Sequence, residues 1–441
     1  MTPNAPSVWL TTLGCAKNQV DSEKITGVLG SAGYANAASP ESADVVMVNT
    51  CGFIEPARRE SIDTILDLAG SKRDDASLVV VGCMAQRYEK ELAEALPEAD
   101  AVIGLARYAE LVDRLDVLRS WTPITIGPAR RSHMDILYET RRPTPTTPYA
   151  YVKVAEGCDK VCTFCAIPQF RGKQRSRSPE NIRDEVAELA AAGVGEIGLV
   201  AQDLAAYERD TGGPGIVDLV RSVSDVPGLR RLRLYYLYPR EIRPSLIEEI
   251  AGNPLVADYF DLSLQHTSER LLRAMKRPGS GEAHRTLIEQ IRDAAPGAAL
   301  RSSFIVGFPG ETDDDVDELA EFISDARIDW VGLFPFSPEE GTIAATMEGR
   351  IPDEEVQERL RHLQAIQDDV TATHSTDQIG RTLTVVVDQV EEGQPVARSY
   401  REAPEIDGVI LLDEGEPGDW LEVEITGGYG TDLEAVVRGP A

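Results

Sequence analysis

The fold is decided by the stretch Glu156-Gly157-Cys158-Asp159-Lys160-Val161-Cys162-Thr163-Phe164-Cys165-Ala166-Ile167-Pro168, in which three cysteines are spaced Cys-x-x-x-Cys-x-x-Cys. Three thiolates this close together can hold one face of a metal centre. Fully ligated iron–sulfur clusters take four thiolates, so three would leave one metal corner open. An open corner is what a metal site needs if it is to bind a substrate rather than only brace the fold.

The composition is that of an ordinary globular protein. The chain has 441 residues, 42% hydrophobic and 27% charged, which predicts about two to four domains. Its longest apolar runs are far shorter than the ~20 residues that a bilayer requires, so we expect no membrane span. Residues 1–7 have neither a basic nor an apolar segment, which predicts no secretory signal and a cytoplasmic location. There, six cysteines indicate metal ligands or reactive thiols rather than disulfides.

The charge of the chain is strongly acidic, at −30. An extended direct nucleic-acid footprint needs a basic surface and is therefore not expected. The charge fits a basic protein as partner, and it is equally explained by a solvated acidic surface. Against this background the basic run Arg171, Lys173, Arg175 and Arg177 stands out. It faces either an anionic group near the cysteines or only solvent, as part of a loop that leads into a helix.

Three further cysteines follow predicted strands of an N-terminal domain. Apolar runs at 8–13, 44–49, 78–81 and 101–104 alternate with helical patterns, the first at 21–32, which predicts a parallel α/β sheet. Cys15, Cys51 and Cys83 each come just after one of these runs. Because ligands bind at the shared carboxyl edge of such a sheet, we expect these thiols to converge. Small buried residues are the other interpretation, since free cysteine is often part of a core, but three equivalent positions favour a metal site.

The central part of the chain is predicted to be a partial (β/α)6 TIM-like barrel. It follows a Pro/Thr-rich linker, and its strands fall at 149–155, 196–201, 231–235, 259–264, 300–306 and 330–336. Chemistry in such barrels sits at the carboxyl ends of the strands. The polar residues at those ends, besides the three cysteines of the opening stretch, are Gln202, Asp203, Tyr238, Gln265, His266, Glu311, Glu339 and Glu340.

The last part of the chain, from Gly380 onward, is predicted to be a small antiparallel β-barrel or sandwich. Short strands at 382–388, 409–412, 420–426 and 433–437 are separated by Gly and Pro. This part holds 4 arginines, no lysine and 14 acidic residues. A surface that grips phosphates is therefore not expected, and docking of a basic protein fits better.

The chain resembles the radical S-adenosylmethionine superfamily at Cys158, Cys162 and Cys165, with the aromatic Phe164 just before the third cysteine. The upstream cysteines narrow the resemblance to its methylthiotransferases, and the last part of the chain resembles the TRAM domain. Several segments look like the branch that modifies an aspartate of ribosomal protein S-twelve: 12–23, 48–54, 155–172, 199–203, 263–266, 305–312 and 399–408. This branch more often has proline at Ala16 and two threonines after Gln202-Asp203, where this chain has Leu204 and Ala205.

The resemblance implies a division of the chain and of its chemistry. The domains would be a methylthiotransferase domain at 7–125, a linker at 126–148, a radical core at 149–375 and a TRAM domain at 376–441. Two [4Fe-4S] clusters would be held, one by Cys15, Cys51 and Cys83 and one by Cys158, Cys162 and Cys165. The second would bind S-adenosylmethionine, with Phe164, Gln202 and Asp203 as cofactor contacts, and would generate a radical; the first would supply or carry sulfur.

The resemblance further implies methylthiolation of the β-carbon of an aspartate in basic ribosomal protein S-twelve, free or in the small subunit, with an electron-donor protein as second partner. Two alternatives stay open. One is a transfer-RNA (adenosine) methylthiotransferase with the same chemistry. The other is a non-catalytic carrier of zinc or of an iron–sulfur cluster.

Overall fold

The computed structural model describes residues 5–120 and 140–441. They form two compact units. The N-terminal unit comprises Met1–Thr144, Glu156–Lys160 and Cys165–Arg177, and the C-terminal unit comprises Pro145–Ala155, Val161–Phe164 and Ser178–Ala441. Most of the predicted linker, residues 126–139, lies outside the described residues, and residues 140–148 contain no helix or strand. No helix in the described ranges is both long and apolar enough to cross a bilayer.

The N-terminal unit is built on a five-stranded parallel sheet, as the alternating pattern predicts. Its strands are β1 (Ser7–Thr12), β2 (Ala35–Asn36), β3 (Val45–Thr50), β4 (Ser77–Gly82) and β5 (Ala101–Gly104). They lie in the order β2-β1-β3-β4-β5. Every residue of β3 is buried, because helices cover both faces of a central parallel strand. The strand order reverses between β1 and β3, and this is where open α/β sheets bind ligands.

The helices of this unit begin closer to the cysteines than the sequence predicts. They are α1 (Ala16–Ser31), α2 (Glu55–Ser71), α3 (Cys83–Arg87), α4 (Glu89–Ala95) and α5 (Leu111–Ser120). The prediction that the first helix begins at residue 21 was wrong, because the carbonyl of Cys15 already accepts from the amides of Asn18 and Gln19. Cys15 is thus the N-cap of α1, and Cys83 is the first residue of α3.

The C-terminal unit contains the predicted partial barrel. The strands of this part of the chain are β6 (Tyr149–Lys153), β7 (Ala155–Glu156), β8 (Arg175–Ser176), β9 (Glu196–Val200), β10 (Arg231–Leu234), β11 (Tyr259–Gln265), β12 (Ala299–Val306) and β13 (Trp330–Pro335). The short strands β7 and β8 lie in the cysteine region; β8 and Glu156 of β7 belong to the N-terminal unit. Parallel pairing gives the sheets β10-β9-β6 and β11-β12-β13. Bridges from Leu232 to Val256 and from Leu237 to Leu262 connect them, so six strands form one curved parallel wall.

Helices follow the barrel strands in the order expected for βα units. Helix α6 (Ile167–Arg171) belongs to the N-terminal unit, and the helices of the barrel are α7 (Pro179–Ala191), α8 (Ile216–Ser224), α9 (Pro244–Gly252), α10 (Glu269–Ala274), α11 (Gly281–Ala294), α12 (Asp313–Ala326) and α13 (Asp353–Gln378). Ser178 caps α7, because its side chain accepts from the Asn181 amide. The last helix runs to Gln378, so the predicted domain boundary at 375/376 falls inside its final turn.

The last 60 or so residues form a closed five-stranded barrel. Its strands are β14 (Thr382–Glu391), β15 (Gln394–Arg398), β16 (Ile410–Leu412), β17 (Trp420–Tyr429) and β18 (Asp432–Pro440). Strand β15, which the sequence analysis missed, pairs with β14 across the turn at Gly393. The ladder is antiparallel except between β16 and β18, which run parallel. This confirms the predicted small β-domain with one parallel pair added.

Residues 399–408, the connection between β15 and β16, lie against the amino ends of the barrel strands. We call them the floor segment. Tyr149 and Tyr259, the first residues of β6 and β11, donate their hydroxyls to Glu405 (2.9 Å) and Asp407 (2.7 Å). The Trp330 indole, at the start of β13, donates to the carbonyl of Arg401 at 3.0 Å. The floor segment therefore closes the barrel at the end opposite to the carboxyl ends of its strands.

A buried charge cluster holds the small β-domain against the barrel. Glu196, the first residue of β9, accepts from Arg231, Arg233 and Arg398 at 3.0–3.2 Å. Burial alone would raise the pKa of Glu196, but the three guanidinium groups outweigh it and lower that pKa to about 2. Arg398 also pairs with Asp388. The ionised carboxylate therefore neutralises arginines from both parts of the unit.

We expect Glu196→Gln to lower the free energy of unfolding by about 3–5 kcal/mol, because it leaves buried guanidinium groups without their shared counter-charge. The difference from the parent should be constant above about pH 5. It should shrink as the pH falls from about 4.5 toward 2, since a lowered folded-state pKa stabilises only while the group is ionised. Chemical denaturation as a function of pH measures this.

Asp184→Asn, at an exposed position on α7, is the matched control and should change the free energy of unfolding little. An equal, pH-independent loss in both variants would contradict the role given to Glu196.

Candidate metal centres

Cys15, Cys51 and Cys83 converge as predicted, at the carboxyl ends of β1, β3 and β4. Cys15 and Cys51 stand on either side of the point where the strand order reverses. Burial first, then the neighbouring thiols Cys83 and Cys15, raise the pKa of Cys51 to about 12. Thiols repel each other's ionisation only when they are close together. The three side chains thus form one group inside the N-terminal unit.

Asn18 fixes the geometry of this group. Its amide nitrogen donates to the carbonyls of Leu13 (2.8 Å) and Thr50 (3.1 Å), one at the end of each of the two central strands. Its carbonyl oxygen is thereby turned toward Cys83, whose thiol donates to it at 3.3 Å. The asparagine in Gly14-Cys15-Ala16-Lys17-Asn18 therefore ties the strand ends to the third cysteine.

Arg171 is buried in the same group, in agreement with the first of the two interpretations of the basic run, an anionic group near the cysteines. Its Nη2 lies 2.9 Å from the sulfur of Cys83, 2.7 Å from Asn18 Oδ1 and 3.1 Å from Asp21 Oδ2. Its Nη1 donates to both oxygens of Glu156, at 2.8 and 3.0 Å. Of the basic run, Arg171 thus faces anionic groups, whereas Lys173 and Arg175 are exposed. Only the charge of the run, and not its position, was visible in the sequence.

The pKa values of the three thiols are shifted in different directions. Burial raises the pKa of Cys83, which Arg171 partly opposes, and the result is about 11. For Cys15, burial is outweighed by Lys17, Arg171 and the first amides of α1, so its pKa is lowered. A helix N-terminus stabilises a thiolate in this way. The thiolate form is therefore favoured more at Cys15 than at Cys51 and Cys83, and a metal that binds thiolates displaces whatever protons remain.

Two glycines leave space beside these thiols, and that space fits a group larger than a side chain. Among the described residues, no group of three or more His, Cys, Asp or Glu side chains is placed to hold one metal ion. Gly14 keeps the space beside the thiols free: its φ is +96°, and a Cβ there would lie 3.1 Å from the Cys51 sulfur. A Cβ on Gly52 would lie 2.8 Å from the backbone of Cys83.

The cysteine loop of the opening stretch is held at its base and at its middle. In the N-terminal unit, the Cys158 amide donates to the Gly172 carbonyl at 3.1 Å. In the C-terminal unit, the Thr163 amide donates to Met275 (3.1 Å) and the Thr163 carbonyl accepts from Ala344 (2.9 Å). Cys158, Cys162 and Cys165 are all half-buried, unlike the enclosed Cys51 and Cys83. These three residues are therefore only partly covered by the rest of the chain.

The predicted cofactor contacts take different positions in the C-terminal unit. Phe164 packs with Leu271, Met275, Phe308 and Ala344 in an apolar cluster. Half-buried Gln202 and buried Asp203 follow β9 at its carboxyl end, and Asp203 is the N-cap of the short helix Leu204–Ala206. The structure thus gives Phe164 a packing role of its own.

Two further polar groups occur near the carboxyl ends of the barrel strands. Arg277 lies 3.6 Å from the Cys162 sulfur, and its guanidinium stacks 4.2 Å from the ring centroid of Tyr238. The sequence analysis missed this arginine, because nothing near it in the chain marks it. Buried Glu311 accepts from the Gly307 amide and from Arg359, and His266 Nε2 lies 3.5 Å from it. Glu311 therefore braces its own glycine-rich turn.

Three family profiles match the chain in succession. Residues 7–104 match the uncharacterized protein family UPF0004, residues 152–323 match the radical SAM superfamily, and residues 379–437 match the TRAM domain. Together they cover the sheet of the N-terminal unit, most of the partial barrel and the small β-domain.

Two curated relatives carry the same name, ribosomal protein uS12 methylthiotransferase RimO. The protein of Saccharopolyspora erythraea is 41% identical, over 98% of this chain and 94% of its own. That of Moorella thermoacetica is 43% identical, over 95% and 96%. Among solved structures, the radical S-adenosylmethionine methyltransferase TsrM of Kitasatospora setae, with cobalamin and a [4Fe-4S] cluster bound, matches 77% of each chain at a TM-score of 0.56 and 15% identity. That likeness concerns the fold alone.

If each cysteine group binds a four-iron cluster, Gly14→Ala should lower the iron content of the reconstituted protein from about eight to about four per chain, because the added methyl group occupies space beside Cys51. Gly33→Ala is the matched control, since its φ is also positive but a Cβ there meets nothing within 4 Å. Iron analysis after reconstitution measures both. An equal loss in the two variants would show that backbone strain, and not the space beside the thiols, is responsible.

Proposed function

Because this chain belongs to the ribosomal protein uS12 methylthiotransferase family, we propose that it replaces a hydrogen on the β-carbon of an aspartate in that ribosomal protein by a methylthio group. The identity of about 40% extends over nearly the whole of this chain and of its relatives. The observation that carries the proposal is the presence of two separate cysteine groups, one at the strand ends of the N-terminal unit with Cys51 and Cys83 buried, and one in a loop whose three cysteines are all half-buried.

Two [4Fe-4S] clusters and S-adenosylmethionine are the proposed cofactors. When bound, they supply a radical that can attack an unactivated C–H bond, which acid–base side chains cannot do. Cys15, Cys51 and Cys83 would hold one cluster, and Cys158, Cys162 and Cys165 the other. Three thiolates in the loop leave room for S-adenosylmethionine, and Phe164, Gln202 and Asp203 are the proposed contacts to it.

The residues of the chain divide the remaining work. Thr163 fixes the middle of the loop through its three hydrogen bonds, so the sulfurs on either side keep their positions. Asn18 and Arg171 orient the enclosed group. The enclosure of Cys51 and Cys83 keeps water away from the sulfur chemistry proposed there.

The small β-domain is the proposed docking surface for the basic ribosomal protein, free or in the small subunit. Two of its four arginines, Arg398 and Arg401, are buried in contacts with carboxylates. Its exposed charged residues are therefore two arginines and nine acids, the latter being Glu391, Glu392, Glu405, Asp413, Glu414, Glu416, Asp419, Glu422 and Glu434. Such a surface attracts a basic protein and repels the phosphates of transfer RNA. An electron-donor protein and a cytoplasmic location complete the proposal.

Alanine at Cys158, Cys162 or Cys165 should abolish the reductive formation of 5′-deoxyadenosine from S-adenosylmethionine. Alanine at all of Cys15, Cys51 and Cys83 should preserve that cleavage and stop methylthio transfer. Chromatography of the nucleoside and mass spectrometry of the acceptor protein measure the two activities. Cleavage that survives in the loop variants would refute the assignment of the radical centre.

Purified ribosomal protein uS12 should gain the mass of a methylthio group on one aspartate, while transfer RNA incubated with the same enzyme stays unmodified. Parallel mass spectrometry of the two acceptors decides between the proposed function and the transfer-RNA alternative. Modification of adenosine alone would show that the substrate is transfer RNA, and would leave the proposed methylthio transfer itself unchanged.

A further inference from the structure

Arg171 and Glu156 lie on either side of the cysteine loop in the sequence, yet Arg171 contacts Cys83 of the other cysteine group and Glu156 contacts Arg171. Glu156 lies two residues before Cys158, and Arg171 six residues after Cys165. Both belong to the N-terminal unit, where helix α6, which ends at Arg171, packs with the core around Cys83. The two ends of the loop are thereby joined through a buried ion pair with Nη1–Oε distances of 2.8 and 3.0 Å.

The contact of Arg171 with Cys83 is directional as well as charged. The guanidinium uses Nη1 for Glu156, which leaves Nη2 for the sulfur, for Asn18 and for Asp21. A planar fork can serve several acceptors at once in this way, whereas an ammonium group acts as a point charge. The arginine is almost fully buried, so solvent screens its charge little.

A positive charge at a ligand sulfur favours the reduced form of a cluster. One-electron reduction adds a negative charge to the cluster and its thiolates, and hydrogen bonds to the sulfurs and the local net charge set its potential. Arg171 therefore stabilises the reduced form, and Glu156, as its counter-ion, offsets part of this effect. At the loop, the comparable contact of Arg277 with Cys162 is longer, at 3.6 Å against 2.9 Å.

We propose that Arg171 is a positioning residue that raises the reduction potential of the centre held by Cys15, Cys51 and Cys83, and that Glu156 on the far side of the loop sets how strongly it does so. This inference rests on the proposed function, because it needs a cluster at these thiols. The buried ion pair between Arg171 and Glu156 would then set the reduction potential of this centre, in addition to joining the two ends of the cysteine loop.

The test uses the full chain with Cys158, Cys162 and Cys165 changed to alanine, so that only the enclosed centre reports. Potentiometry followed by electron paramagnetic resonance gives its midpoint potential. Glu156→Gln should make the potential more positive, because it frees Arg171 from one of its two counter-charges and leaves only Asp21. Adding Arg171→Met to that variant should make it more negative than in the parent, with about a tenfold smaller reduced-to-oxidised ratio at the parent's midpoint, or about 59 mV for one electron.

Lys173→Gln is the matched control, since it removes an exposed positive charge two residues away and should leave the potential unchanged. Shifts of opposite sign in the two test variants support the proposal, because a general disturbance of the site would move both in one direction. If the double variant loses its iron, Glu156→Gln decides: an unchanged or more negative potential with full iron content overturns the inference. Failure of the proposed function would give a different result, because the parent protein itself would then bind no cluster and show no midpoint potential.

Discussion

The carboxyl ends of parallel strands all lie at one edge of their sheet, and the positions of both cysteine groups depend on this constraint. In the N-terminal unit it gathers Cys15, Cys51 and Cys83 from positions up to 68 residues apart in the chain. In the partial barrel it places the residues that follow β9, β10, β11 and β12 at the end of the barrel away from the floor segment. Successive side chains of a strand point to opposite faces of the sheet, so a strand longer or shorter by one residue would move its thiol to the other face. Gly14 and Gly82, which directly precede Cys15 and Cys83 and have positive φ, mark where the extended backbone ends.

Strand positions and cysteine convergence could be predicted because they follow from local patterns. Strands such as β5 and β12 lie within one residue of the expected ranges, since apolar runs bounded by glycine leave little freedom. The start of α1 was wrong, because a cysteine that caps a helix through its backbone alone gives no sequence signal. Strand β15 was missed for a related reason: it is short and contains Pro395, which usually argues against a strand.

The charged contacts could not be predicted, because their partners are remote in the chain. Arg171 meets Asn18 and Asp21, and Glu196 meets Arg398, across 150 to 202 residues. A count of charges, which treats every acid and arginine as surface, therefore misjudges such groups. In the small β-domain, two of the four arginines are buried, while nine acidic residues remain exposed. The ratio of acidic to basic residues is therefore higher on its surface than in its composition.

Because of the floor segment, the activity of a protein that lacks the small β-domain cannot be interpreted as a measure of docking alone. Its residues accept hydrogen bonds from the first residues of three barrel strands, and Arg398 beside it neutralises Glu196. A chain cut after Gln378 would lose the proposed docking surface and also the segment that closes the base of its barrel. Loss of activity in such a truncated protein would therefore say nothing about docking, and surface substitutions on β14 to β18 are the cleaner way to dissect it.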